Sequence, residues 1–123
     1  MATIKRFEDI QAWQKARVLV REIYKLSRAG LLRNDFELRR QMCGAAVSSM
    51  SNIAEGFAKQ GRSAAEFKRY LQMAMGSSDE MRVWARYCLD LGHIDEPTWQ
   101  RWRDEYHSIS KMLQGLARKW RIR

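Results

Sequence analysis

Apolar residues return every three or four positions along four stretches of this chain, the spacing that gathers them on one face of an α-helix. From about Glu8 to Arg28 the stripe is Ile10, Trp13, Ala16, Leu19, Val20, Ile23 and Leu26. Gly30 then supplies a stop, because glycine takes the left-handed backbone without strain. A second stretch opens near Asn34, whose spacing to Glu37 is that of a capping box. Its stripe is Phe36, Met42, Cys43, Ala46, Met50, Ile53, Ala54 and Phe57, and Gly56 and Gly61 bracket its end. The third begins with another capping box, Ser63 and Glu66, and runs to about Leu91 before Gly92. Phe67, Tyr70, Ala74, Met81, Trp84, Ala85, Cys88 and Leu91 form its stripe. The fourth starts at Asp95 or Glu96, with Pro97 in the first turn where its missing N–H does no harm. Trp99, Trp102, Tyr106, Ile109, Leu113, Leu116 and Trp120 hold one face to the chain end.

Four helices joined by short turns predict an all-α fold, an antiparallel up-down four-helix bundle. One such domain fits residues 1–123, a length that buries roughly two thirds of its unfolded surface. Apolar residues make up 46% of the chain and charged residues 30%, a globular balance rather than a disordered one. No run approaches the ~18 apolar residues of a membrane span, and no apolar h-region follows the charged N-terminus. Cys43 and Cys88 lie far apart on apolar stripes, which predicts buried free thiols and a cytoplasmic setting.

Charge changes the picture most. The net charge is +9, and arginine outnumbers lysine sixteen to seven. Arginine's planar fork matches phosphate or carboxylate in a way lysine's point charge does not. Residues 1–30 and residues 96–123 each carry seven basic and three acidic side chains, whereas residues 63–95 carry four and five. First and last helices are neighbours in an up-down bundle, so these segments are expected to merge into one basic flank. Arg17, Arg21, Lys25 and Arg28 share a side of helix 1, and Arg118, Lys119, Arg121 and Arg123 surround Trp120. Phosphates are the partner such a flank suits, hence RNA or DNA. Trp120 by itself also reads as the last core residue of helix 4.

The second helix has an unusual back, with Glu37, Gln41, Gly44, Ser48, Ser51, Asn52, Glu55 and Lys59 opposite its stripe. Small side chains there admit another helix closely, and Asn52 and Glu55 offer hydrogen bonds across it. Met75, Gly76 and Val83 similarly face away from the stripe of helix 3. Two such patches suggest self-association, a homo-oligomer.

Catalytic motifs do not emerge, and neither a cofactor nor a metal is expected. His93 and His107 have no cysteine or carboxylate at metal-ligand spacing, and neither a Walker A loop nor a GxGxxG is present. The spacing of Arg101 to His107, and of Arg86 to His93, is similar to that of the helical ribonucleases of the HEPN class. Trp102 and Tyr87 stand where those enzymes place a polar residue, and sixteen arginines make the spacing easy to meet by chance.

Several segments resemble one family in order: Phe7-Glu-Asp-Ile-Gln-Ala-Trp-Gln-Lys-Ala16, Asp35-Phe-Glu-Leu38, Gln41, Ala45-Ala-Val-Ser48 and Ser51-Asn-Ile-Ala-Glu-Gly56. Glu66-Phe67, Tyr70-Leu71, Ala74, Gly76-Ser77 and Glu80 continue the match. The pattern is similar to the proteins encoded in intervening sequences of bacterial large-subunit ribosomal RNA genes. The accessory variability determinants of diversity-generating retroelements belong to the same group. The resemblance implies a four-helix bundle that assembles as a homopentamer. On the retroelement branch it also implies an accessory that binds nucleic acid and a reverse transcriptase. Asn52, Glu55, Ser77 and Glu80 carry over as motif positions with a structural or interfacial role. The chain departs at Met42-Cys43-Gly44, where a common form has two arginines, and it lacks a proline near Met50. These departures shift the expected nucleic-acid surface from helix 2 to helices 1 and 4.

Overall fold

The structure, a computed structural model, describes residues 3–120. A 3-10 turn over Phe7–Asp9 leads into α1 (Gln11–Ser27), and a second over Gly30–Asn34 leads into α2 (Phe36–Lys59). Two further helices, α3 (Ala64–Asp90) and α4 (Glu96–Lys119), complete the bundle. Each helix packs against its neighbours in sequence and α1 closes the ring onto α4, the antiparallel up-down arrangement that the periodicity predicts.

Local chemistry sets the boundaries. The α1 helix begins three residues later than Glu8, because Glu8 sits in the 3-10 turn. There the Asp9 carboxylate accepts the Lys5 and Arg6 N–H groups at 3.0 and 3.1 Å. Gly30 does adopt a left-handed φ of 59°, but it opens the second 3-10 turn, which buries Leu32. That turn absorbs Asn34, so Asp35 rather than Asn34 caps α2, accepting the Leu38 N–H at 3.2 Å. Ser63 caps α3 through the Glu66 N–H at 3.1 Å, and Asp95 caps α4 through that of Thr98 at 2.9 Å. After α3, Gly92 at φ 77° lets the His93 N–H reach back to the Cys88 carbonyl at 2.9 Å.

The core follows the stripes of α1 and α4 closely, with Leu19, Ile23, Trp102, Tyr106, Ile109 and Leu113 all buried. In α2 the stripe holds for Met42, Cys43, Ala46, Met50, Ile53 and Phe57, which are buried or pack against the core, and fails at its first residue. Phe36 is 76% exposed, while Ser49 and Asn52 are buried in its place. Leu91 is also exposed, past the end of α3, and Met75 packs against the core rather than facing out. Cys88 is buried beside Met42, its thiol donating to the Met42 sulfur at 3.5 Å, whereas Cys43 is only half-buried. Both thiols are free.

Candidate nucleic-acid interface

The buried face of α1, from Ala12 through Ala16, Leu19 and Ile23, turns the opposite face outward. Arg17, Arg21, Lys25 and Arg28 all lie exposed on it, one turn apart. Arg17 leans over the Trp13 ring, 5.8 Å from its centroid, and Trp13 in turn meets Phe7 edge-on at 4.9 Å. Among the described residues, none of the four makes an ion pair. Four neighbouring cations without carboxylates repel one another, and an anion relieves that repulsion.

Arg118 and Lys119 are exposed too, but they do not join that row. The register between α1 and α4 is fixed by Lys15–Glu105 at 2.8 Å and by Arg101, whose guanidinium grips Glu22 with one bond at 2.8 Å. Because the helices run antiparallel, Arg118 lies about 20 Å along the axis beyond Glu105, in the direction opposite to Arg28. The single merged flank is therefore replaced by two patches. The second occupies the bundle end that also carries Lys5, Lys59, Arg62 and Lys68. Trp120 is not an open platform there, since its ring packs edge-on against Phe67 at 4.9 Å and Phe57 at 6.0 Å. Arg121 and Arg123 lie outside the described residues.

The row on α1 continues into an open groove of about 470 Å³ between the end of α1 and the start of α2. Tyr24, Ser27 and Arg28 line it from α1, and Phe36, Glu37, Arg39, Arg40 and Cys43 from α2. Arg39 lies 5.2 Å over the Phe36 ring and donates to the Arg33 carbonyl. Arg40 bonds Glu37 at 2.8 Å. Helix 2 thus contributes cations after all, through Arg39 and Arg40, which stand one turn beyond its first residue.

The positions singled out on the backs of α2 and α3 divide into two groups. The Ser77 hydroxyl donates to Ser48 at 2.9 Å, and the Asn52 amide donates to the Ser48 hydroxyl and carbonyl, each at 2.9 Å. One layer deeper, Ser49 and Ser78 share a hydrogen bond of 2.7 Å with neither exposed. Ser48, Asn52 and Ser77 are therefore engaged within the chain, along the seam between α2 and α3. Gly56 belongs to the same seam rather than to a helix end. A Cβ there would stand 2.6 Å from the Tyr70 Cβ and 3.0 Å from the Phe67 ring. Gly44, Glu55, Gly76 and Glu80 are exposed, and open space surrounds both glycines.

Asn52 and Gly56 of this seam belong to the segment Ser51–Gly56. Residues 8–115 match the family described as 23S rRNA-intervening sequence protein. The chain belongs to this family. A similar solved structure is a protein of unknown function from the S23 ribosomal protein family of Bacteroides thetaiotaomicron. It is 20% identical, with a TM-score of 0.75, and the alignment covers 88% of this chain and 96% of that one. At that identity the likeness speaks for the fold. No curated protein matches the chain.

Within this family member, the ribonuclease-like pairs are not assembled into a site. Arg101 is turned to α1, where Glu22 takes both its guanidinium and the Trp102 indole N–H, the latter at 3.2 Å. The Arg101 bond holds the Glu22 carboxyl below the usual glutamate range against the opposing effect of burial. His107 stands exposed, a third of a turn round the helix from Arg101. Arg86 is held by Asp90 at 3.3 Å and stacks on Trp99 at 5.2 Å, and His93 lies beyond the helix. Among the described residues no group of three or more His, Cys, Asp or Glu is placed to hold a metal, and no helix is long and apolar enough to cross a membrane.

Sequence reasoning missed Phe36, Arg39 and Arg40 as site residues. The signal was present: a short connection between helices 1 and 2 brings Arg28 and the Arg39-Arg40 pair to one end. Phe36 is apolar and in phase with the stripe, but as the first residue of α2 it lines the open groove, on the same face as Cys43.

Proposed function

We propose that this chain is a non-enzymatic, basic, homo-oligomeric binding protein whose ligand is RNA or DNA. Its task is that of an accessory to a nucleic-acid enzyme, the reverse transcriptase of a diversity-generating retroelement being the partner the family resemblance suggests. One observation carries the reading: Arg17, Arg21, Lys25 and Arg28 along α1, and Arg39 in the groove, lack acidic partners among the described residues. Such a row neutralises successive phosphates and releases their counterions, so affinity falls steeply as salt rises. Exposed Gly44 on α2, and exposed Gly76, Met73, Val83 and Tyr87 on α3, support self-association, and the resemblance implies five copies. Free thiols at Cys43 and Cys88 suit a reducing cytoplasm.

Light scattering coupled to size exclusion, run with and without a structured RNA over a salt series, tests this. The expected result is a mass near five protomers that shifts with RNA at low salt and loses the RNA as salt rises. A protein whose mass ignores RNA at every salt concentration contradicts the nucleic-acid reading. Such a protein is instead a structural bundle that meets its partners through other surfaces.

A further inference from the structure

Phe36 opens α2 with 76% of its surface exposed, an unusual place for a large aromatic ring. Its environment is not that of an ordinary hydrophobic patch. The Arg39 guanidinium lies 5.2 Å over the ring, Tyr24 faces the groove from α1, and Arg28 stands beside Tyr24 at the α1 end. Of the nearby carboxylates, Glu37 is paired with Arg40 and Asp35 is occupied as the cap of α2. Arg28 and Arg39 make no ion pair among the described residues.

Aromatic faces interleaved with unpaired arginines are what a single-stranded nucleic acid requires, because its bases expose their π faces and its phosphates follow at short intervals. A duplex offers phosphates but keeps its base faces stacked inside. An apolar protein segment gains from Phe36 but leaves two desolvated guanidinium groups without anions. We propose that this groove seats an unpaired base of single-stranded RNA or DNA, stacked on Phe36 beside Tyr24, with the flanking phosphates held by Arg28 and Arg39. The row of Arg17, Arg21 and Lys25 then carries the strand away along α1. This proposal rests on the nucleic-acid reading above and adds the strand type and the contact residues.

The test uses the full chain, a fluorescein-labelled oligouridine of about 15 nucleotides and a duplex of equal length, with binding read by anisotropy. Phe36→Ala is expected to weaken oligouridine binding about 5- to 150-fold with the salt slope unchanged, the loss that one stacked base represents. Phe36→Trp is expected to restore binding, and duplex affinity is expected to change less than about twofold. Arg28→Gln is expected to lower the single-strand salt slope by about 0.7. The site is overturned if Phe36→Ala binds oligouridine like the wild type, or weakens both RNAs equally. It is also overturned if Phe36→Ala keeps its RNA affinity but changes the mass by light scattering, which assigns the ring to contacts between copies. A wild type that binds neither RNA overturns the nucleic-acid reading itself, an outcome distinct from failure of the groove alone.

Discussion

On the α3–α4 side of the bundle, Arg82 lies 3.7 Å from Asp79, Arg86 3.3 Å from Asp90 and Arg103 3.0 Å from Asp104. On the α1–α2 side, Arg17, Arg21, Lys25, Arg28, Arg33 and Arg39 have no carboxylate within ion-pair reach among the described residues. Both sides are rich in arginine and both carry a groove, the one on α3 being the larger at about 650 Å³. The larger groove is lined by Asp79 and Asp90 together with the arginines they neutralise. In the smaller, Arg40 is paired with Glu37, but Arg28 and Arg39 make no ion pair among the described residues. Arginine content and groove size therefore do not distinguish the two grooves; the pairing of each cation does.

Breaking that asymmetry gives the largest expected effect. Reversing Arg17, Arg21, Lys25 and Arg28 to glutamate is expected to lower RNA affinity about 10²- to 10³-fold at moderate salt. Replacing Arg82 and Arg86 by glutamine is expected to change it by less than about threefold, since each cation's field is already offset by its aspartate. Anisotropy titrations of the two variants side by side check the contrast.

A scaffold change comes next. Gly56→Ala forces a Cβ into Tyr70 and is expected to cost about 1–3 kcal/mol of stability in chemical denaturation. Below its melting transition this variant is expected to bind RNA as the wild type does, because the seam between α2 and α3 lies apart from the α1 row.

A smaller effect sharpens the α1–α4 contact that fixes the register of the two patches. Glu22→Gln removes a partly exposed ion pair and is expected to cost about 0.5–1 kcal/mol at pH 7. Folding depresses the Glu22 pKa, so its contribution is present above the ordinary value of 4.5 and is lost as pH falls through the folded value. Denaturation curves of wild type and variant are thus expected to differ at pH 7 and to converge in acid.

The smallest effect concerns the thiols. Burial pushes the Cys88 thiol up to about 11, whereas Cys43 lines the α1–α2 groove half-exposed. One thiol is expected to react with a disulfide reagent in the native protein at pH 8, and bound oligonucleotide is expected to slow it. Cys88 is expected to react only on unfolding.

How much of this was legible in the sequence depends on which face of each helix does the work. In α1 and α4 the buried positions are apolar apart from Ser27 at the end of α1, and the stripes could be read residue by residue. In α2 they include Ser49, satisfied by Ser78 of α3, Asn52, satisfied by Ser48 one turn back on α2, and Gly56, where Tyr70 and Phe67 of α3 leave no room for a side chain. Periodicity of hydrophobic residues has no means of registering such pairs. Phe36 departs in the other direction: it is apolar and in phase, yet stands at the first position of α2 and stays exposed, which periodicity does not register. The candidate site was half legible. The α1 row follows from helical spacing alone, but its separation from Arg118 and Lys119 depends on the Lys15–Glu105 and Glu22–Arg101 register. That register joins residues about eighty and ninety positions apart, beyond what local reading reaches.

The most direct measurement is the salt dependence of RNA affinity for the wild type and for a variant with Arg17, Arg21, Lys25 and Arg28 all changed to glutamine. If this row is the nucleic-acid surface, the slope of log affinity against log salt falls in magnitude by about 3, the contribution of four phosphate contacts. An unchanged slope contradicts the account and moves the binding surface to the opposite bundle end, around Lys59, Arg62, Arg118 and Lys119.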